Sequence, residues 1–321
     1  MSLDVVESFR VKRPEPTRSS GGPMARREEL VAYLFISPWI IGFLVFLTGP
    51  IIASIFISMT NWSIISDPDW VGLDNYRRMF YEDRNFWISI KVTAKYTLFS
   101  VPTFMISSLA VSLLLNLKLK GMNFFRTLLY LPAVLSSVAV AVLWVSLLHP
   151  DLGAINITLR QIGISNPPRW LTSRDWAVPA VVLMGLWGVG GGAIIYLAGL
   201  QNIPPILYEA AEIDGANVLR KFRHITLPML TPTLFFTLIT GLIGSIQVFD
   251  AGYVLGGPRG GRGRSLLFYV LYLYNEGFRN GRLGYASALA WVLVVVAGIL
   301  IVIVFRMGDR WVYYESEEGR A

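Results

Sequence analysis

The sequence predicts an all-α membrane protein of six transmembrane helices with both termini in the cytoplasm. Three observations carry that expectation. Only 15% of the 321 residues are charged and 54% are hydrophobic, whereas a soluble domain carries about 25% charge. The deficit is gathered into six long charge-free windows, the signature of bilayer spans. The basic residues of the N-terminal tail then give a sidedness.

Residues 1–29 form that tail, with Arg10, Lys12, Arg13, Arg18, Arg26 and Arg27. Its Pro, Ser and Gly content reads as disorder, and the positive-inside rule places it in the cytoplasm. Residues 30–59 read as the first span. This window is longer than a signal-peptide core and ends without a clear cleavage site, so it is expected to be retained. Residues 60–87 are an outer loop edged by Trp62, Trp70 and Trp87, which suit a membrane interface. Arg77, Arg78 and Lys91 read as solvated charges near that interface. A core over 88–308 follows, with spans at 96–117, 127–148, 177–200, 225–249 and 283–305. Each window is long enough for the roughly 20 residues that cross hydrocarbon as a helix, the form in which such a segment satisfies its own backbone groups.

The short loop of Lys118, Lys120 and Arg126 agrees with the sidedness. The loop after the fifth window runs against it, carrying Arg259, Arg262, Arg264, Arg279 and Arg282. Next comes "SLLFYVLYLYNEGF" (265–278), too short an apolar run to span, which reads as an interfacial or re-entrant helix on the outer side. Residues 309–321 form a second cytoplasmic tail, with Trp311, Tyr313 and Tyr314 after the last span. The net charge of +7 suits anionic lipid headgroups rather than nucleic acid.

Between the fourth and fifth windows stands "EAAEIDGANVLRKFRHITLPML" (209–230), polar and helix-like in a hydrophobic chain. Pro204 and Pro205 end one helix and open another. Glu209 and Glu212 are expected near the start of the new helix, where its dipole favours acids. Gly215 is a natural break. A second short helix is expected over 217–226, with Phe222 and Ile225 on one face and Arg220, Lys221 and Arg223 exposed. Such a unit presents Ala210, Ala211 and Gly215 for close approach by another protein, or is a plain amphipathic connector.

The pattern Glu209-Ala210-Ala211-x-x-Asp214-Gly215-Ala216, continued by Phe222, Ile225, Leu227, Pro228, Leu230 and Pro232, resembles the EAA loop of bacterial ABC importer permeases. Asp-Gly-Ala and Leu-Pro are similar to the carbohydrate importers of maltose and glycerol-phosphate type. The segments 33–62, 70–80, 247–258 and 283–293 resemble further parts of the same family. The resemblance implies a type I importer permease fold with the EAA coupling loop over 206–230. It also implies a second homologous permease as partner, two ATPase subunits and an extracytoplasmic sugar-binding protein. Glu209, Ala210, Ala211, Asp214, Gly215 and Ala216 would be the ATPase-coupling residues.

No G-x-x-x-x-G-K-[ST] occurs, so ATP and its magnesium are expected on the partner ATPase and no cofactor on this chain. The glycine-rich "GGPRGGRGRS" (256–265) lacks the P-loop lysine. It reads either as a flexible basic loop or as a contact with the binding protein, the partner permease or an anionic substrate. With no cysteine and two histidines, His149 and His224, far apart in sequence, neither a metal site nor a catalytic constellation is expected.

Candidates for the substrate path are the polar and aromatic residues in or at the ends of spans: Trp187, Gly191, Ser245, Gln247, Phe249, Asp250 and Tyr253. Aromatic faces stack on sugar rings, and amides and carboxylates bind their hydroxyls. Gly188, Gly190, Gly191 and Gly192 serve helix packing equally well, and Gln247 and Asp250 equally suit interhelical hydrogen bonds. An ion-coupled carrier would need ionisable residues in mid-span, and the windows contain none. An ABC permease for a solute other than sugar is the nearer alternative.

Overall fold

The computed structural model describes residues 23–117 and 119–313. The tail residues Arg10, Lys12, Arg13 and Arg18, together with Lys118 and Tyr314, lie outside the described residues. The chain divides after Ser54 into two units. Among the described residues every regular element is helical, with one isolated antiparallel bridge between Thr60 and Trp70.

In the first unit, α1 (Pro23–Phe43) passes through a π-helical turn at Leu44–Thr48 into α2 (Gly49–Ser58), whose residues from Ile55 on belong to the second unit. The helix begins ahead of the expected residue 30, because Pro23 suits a first helical turn and the residues after it are good helix formers.

In the second unit, α3 (Asp74–Tyr81) precedes the long α4 (Arg84–Leu115). The expected outer loop 60–87 therefore contains a helix, and the second span starts twelve residues before Tyr96. Asp83 explains that start. Its Oδ1 accepts hydrogen bonds from Asn85 N (2.8 Å) and Phe86 N (3.2 Å), satisfying two of the free N–H groups of a helix end. Lys91 and Lys95 then sit in the first turns of α4, outside its apolar part.

Three helices are individually long and apolar enough to cross a membrane: Arg26–Ser58, α4 and the last helix, Leu283–Gly308. Three further pairs qualify only as bent spans, giving three to six in all. Continuing in chain order, α5 (Met122–Val134) and α6 (Ser137–Leu147) meet at 96°. Leu135 and Ser136 take extended angles there, after Pro132 near the end of α5. The short α7 (Ala154–Gln161) is followed by α8 (Ala177–Trp187) and α9 (Val189–Gln201), which meet at 52° across Gly188. Next come α10 (Pro205–Ile213) and α11 (Val218–Lys221), a π-turn at Phe222–Thr226 and α12 (Leu227–Met229). The helix running through α12 makes a 63° bend into α13 (Thr231–Ile246). Leu230 marks that corner, with Pro228 and Pro232 each lacking the N–H a straight helix would use.

α9 is the packing hub. A Cβ on Gly190 would overlap the Leu129 carbonyl of α5, and one on Gly191 would stand 3.1 Å from the Ala133 methyl. Ser108 Oγ of α4 donates to Val189 O at 3.3 Å. Small residues here let backbones approach, as in other membrane bundles.

The chain ends with α14 (Asp250–Gly256), a glycine-rich loop, α15 (Tyr269–Tyr274), a π-turn at Asn275–Arg279 and α16 (Leu283–Gly308). The 265–278 segment, expected as an interfacial or re-entrant helix, does not lie open at a surface. Leu266, Leu267, Phe268, Tyr269, Leu271 and Tyr272 are all buried, in one core with Phe86, Val181 and Leu289. Its apolar run is short because it is a core element rather than a crossing one. Asp83 Oδ2 accepts from the hydroxyls of Tyr272 and Tyr285. Arg78 lies 5.1 Å above the Tyr285 ring, so this arginine is a stacking partner rather than a merely solvated charge.

The loop 256–265 is held by its own backbone bonds rather than being a loose basic strand. Gly261 N donates to Gly256 O (2.6 Å), Leu266 N to Gly260 O (2.8 Å) and Gly260 N to Gly257 O (3.0 Å). Gly260 has φ +71°, and a Cβ there would stand 2.6 Å from Leu267 Cα, so glycine is required on two counts.

Candidate functional site

Two places draw the chemistry together. The first is a cavity of about 390 Å³, bordered by the breaks of two bent spans and by the exit of a third. The α5–α6 break contributes Pro132 and Ser137, the α8–α9 break Trp187 and Gly188, and the exit of α13 contributes Gln247, Phe249 and Asp250. Interrupted helices at a cavity are how membrane proteins accommodate irregular backbone. Ser137 Oγ donates to Asp250 Oδ2, linking the first turns of α6 and α14. Asp250 also sits where the α14 dipole favours an anion. Gln247 is exposed to the cavity, and its amide makes no hydrogen bond with another described residue. Trp187 is 37% exposed, leaving part of its ring open. An aromatic face, a free amide and a carboxylate therefore border one space large enough for a small ligand.

Of the expected path residues, Trp187, Gln247, Phe249 and Asp250 share this cavity. Ser245 is buried, its Oγ donating to Leu242 O at 2.9 Å, and it borders a second space of about 220 Å³. Tyr96 lines both. Tyr253 stacks on Phe249 at 5.5 Å and is not among the cavity's lining residues, while Gly191 faces Ala133. Ser137 was missed by sequence reading. Its signal is faint: the second of two adjacent serines after Pro132, with its partner 113 positions away.

The second place is the connection between α9 and α13. α10 opens with Pro205 at its first position and closes at Asp214. Gly215 takes φ +71°, and its N–H bonds Glu212 O (3.0 Å) while Ala216 N bonds Ala211 O (2.8 Å). This is a Schellman closure. Asn217 caps α11, Oδ1 accepting from Arg220 N at 2.9 Å. The two arms are cross-braced by Tyr208 and Thr226 hydroxyls at 2.8 Å and by Lys221 Nζ to Glu212 Oε1 at 2.6 Å. Leu200, Ile203 and Leu230 pack beneath them with Leu109 and Leu113 of α4.

Glu209, Ala210, Asp214 and Gly215 are exposed, whereas Ala211 and Ala216 are half-buried. Three expectations need correction. Neither Glu209 nor Glu212 lies in the first turn of α10, because the helix already starts at Pro205, four residues before Glu209. Lys221 is half-buried and paired rather than free. The second helix is one α-turn followed by a π-turn. Sequence reading also overlooked Ile213, Val218 and Leu219, which are 88%, 83% and 72% exposed. Apolar residues on both sides of Asp214-Gly215, in a charged connection, were the available signal.

Bent spans around a polar cavity and a braced, exposed unit on one connection define a class of protein: a multi-span membrane subunit with a polar space among its spans. Residues 96–312 match the family described as binding-protein-dependent transport system inner membrane component, and the chain belongs to that family. It is a multi-pass protein of the cytoplasmic membrane. It is 41% identical over 294 residues to the probable ABC transporter permease protein YesP of Bacillus subtilis (strain 168), covering 91% of this chain and 95% of the relative. It is 35% identical over 287 residues to the lactose transport system permease protein LacF of Rhizobium radiobacter, covering 88% and 95%. The structure resembles a subunit of a bacterial alginate ABC transporter solved in complex with an alginate pentasaccharide-bound periplasmic protein. The TM-score is 0.76 at 26% identity, over 88% of this chain and 96% of that one.

Proposed function

We propose that this chain is the permease subunit of an ATP-driven sugar importer, with six spans and both termini in the cytoplasm. It pairs with a second, homologous permease to enclose the path. Two ATPase subunits grip it from the cytoplasm, and an extracytoplasmic sugar-binding protein delivers the substrate. ATP and magnesium belong to the ATPase, in keeping with a sequence that has no P-loop. Its relatives' sugars support the substrate class: lactose for one, and an alginate pentasaccharide for the structural neighbour.

The observation that carries this reading is the α10–α11 unit. Ile213, Val218 and Leu219 stand out from it at high exposure around a turn held by glycine. Exposed apolar side chains on a braced scaffold are the usual core of a protein contact. Glu209, Ala210, Asp214 and Gly215 lie on the same open surface, with Ala211 and Ala216 as its small-residue floor. With the basic tail inside, an even number of spans returns the connection after the fourth to the cytoplasm. Closure of the ATPases on bound ATP would carry this unit with them and switch the spans between inward- and outward-facing states. The cavity of Trp187, Gln247, Phe249 and Asp250 is the sugar's passage, Trp187 offering a ring face and the amide and carboxylate its hydroxyl partners.

Co-purification with the ATPase tests the coupling role. Proline at position 215 cannot take φ +71°, so Gly215→Pro is expected to abolish the complex, and Glu209→Lys to weaken it. A complex that survives both with full sugar-stimulated ATP turnover would show that the ATPase grips elsewhere.

A further inference from the structure

At the end of the bundle remote from α10 and α11, a cleft of about 450 Å³ opens between the segment preceding α8 and the loop following α14. Arg169 and Arg174 line one side with Thr172 and Ser173, and Arg262 with Gly263 the other. All three arginines are exposed. None lies within 4.0 Å of a carboxylate oxygen of a described residue, and none has a side-chain hydrogen bond to one. Two other arginines of the region are engaged elsewhere. Arg264 donates to Asn85 Oδ1, and Arg282 pairs with the buried Glu276 at 3.1 Å. The chain thus spends these two on its own structure, and three of the exposed arginines without an ion pair line one concave space, while Arg259 and Arg279, also exposed and without an ion pair, do not line it. The loop's backbone bonds and its left-handed glycines place Arg262 there.

We infer that this cleft binds the carboxylates of an acidic oligosaccharide, so that the imported sugar is a uronate-bearing one. The inference rests on the sugar-permease reading and names the substrate class for it. Guanidinium forks match carboxylates two bonds at a time, and the hydroxyls of Thr172 and Ser173 suit the neighbouring ring hydroxyls. Position supports a path role. Segment 169–176 runs directly into α8, whose last residue, Trp187, lines the polar cavity; the loop leaves α14, whose first residue, Asp250, lines it too. The cleft and the cavity are therefore joined by both walls, about 16 Å apart along α8 at 1.5 Å per residue. Like charges gathered at a mouth also raise the local concentration of an oppositely charged ligand. A concave space of this size fits a sugar unit better than the flat contact a docking protein makes.

The test uses the complete transporter in phosphatidylcholine nanodiscs, titrated with trigalacturonate and, separately, with neutral galactotriose. Trigalacturonate is expected to bind and galactotriose not. Replacing all three groups (Arg169→Gln, Arg174→Gln, Arg262→Gln) is expected to weaken trigalacturonate about tenfold or more, since charge-assisted pairs are lost. Added salt is expected to weaken it as well. Arg259→Gln, on the same loop but outside the cleft, controls for general charge and should bind as the parent does. Gel filtration and ATPase co-purification check that the triple variant is folded. Equal binding of the two sugars, or undiminished trigalacturonate binding by the folded triple variant, overturns the inference. So does a triple variant that loses only its association with the binding protein, which would make the cleft a protein contact. Neutral-sugar-stimulated ATP turnover, unchanged in the triple variant, would sink the acidic substrate and leave the permease reading intact.

Discussion

At Asp83, one carboxylate oxygen receives two backbone N–H groups and the other receives two phenol hydroxyls. The side chain thereby holds the start of α4, the core helix α15 and the start of α16 in fixed relation. Asp83→Ala removes the cap and strands the Tyr272 and Tyr285 hydroxyls, at a cost of about 3 kcal/mol or more. A clear fall in the thermal midpoint of the purified protein is expected, with Asp83→Asn falling less because an amide still accepts and caps. Little of this is legible in the sequence. The partners stand 189 and 202 positions away, and nothing local distinguishes Asp83 from other acids of the loop. Ser137 poses the same difficulty. Ser137→Ala is expected to free the Asp250 carboxylate and change the KM for transport, with the complex still assembling. Unchanged transport kinetics would remove Ser137 from the path.

Among elements, α9 shows what the four-glycine run does. Gly190→Ala would drive a methyl into the Leu129 carbonyl. Backbone cannot rotate away as a side chain can, so destabilisation of about 3 kcal/mol or more is expected. Gly185→Ala, with nothing within 4 Å of its Cβ, is expected to be neutral. Comparing detergent melting curves of the two separates packing glycines from incidental ones. The spans themselves were legible, because each hydropathy window records a physical requirement of the bilayer. Their breaks were not. Pro132, Gly188 and Pro232 are each compatible with a straight membrane helix, in which neighbours re-satisfy the freed backbone, and only tertiary packing decides. The 265–278 element shows the converse: a short apolar run is the same string whether it lies at an interface or in a core.

For the whole molecule, the question is how movement at one end reaches the other. Tyr208 and Thr226 clamp the two arms of the exposed unit, and Leu109 and Leu113 seat it on α4, which also borders the polar cavity through Tyr96. Tyr208→Phe cuts the clamp and leaves the exposed surface untouched. It is expected to keep the ATPase bound while lowering sugar-stimulated ATP turnover several-fold, measured on the reconstituted complex. A parallel loss of both would make the tyrosine part of the grip instead. As structure, the 206–230 connection was the most legible part of the chain, because its residues are contiguous and its turn demands glycine. The cavity was legible only as a list of residues, since four of them converge from spans that the sequence presents as separate.

The two helix breaks that border that cavity have one more consequence. Each break leaves carbonyls and amides that no helical ladder accepts, at a depth where lipid offers them nothing. Backbone groups there that no neighbouring element satisfies need water from the open cavity as their partner. On the proposed path, a sugar, whose hydroxyls resemble a small cluster of such waters, would enter by exchange rather than by insertion into a dry pore. Selectivity against apolar solutes then begins with hydration, before any side chain is read.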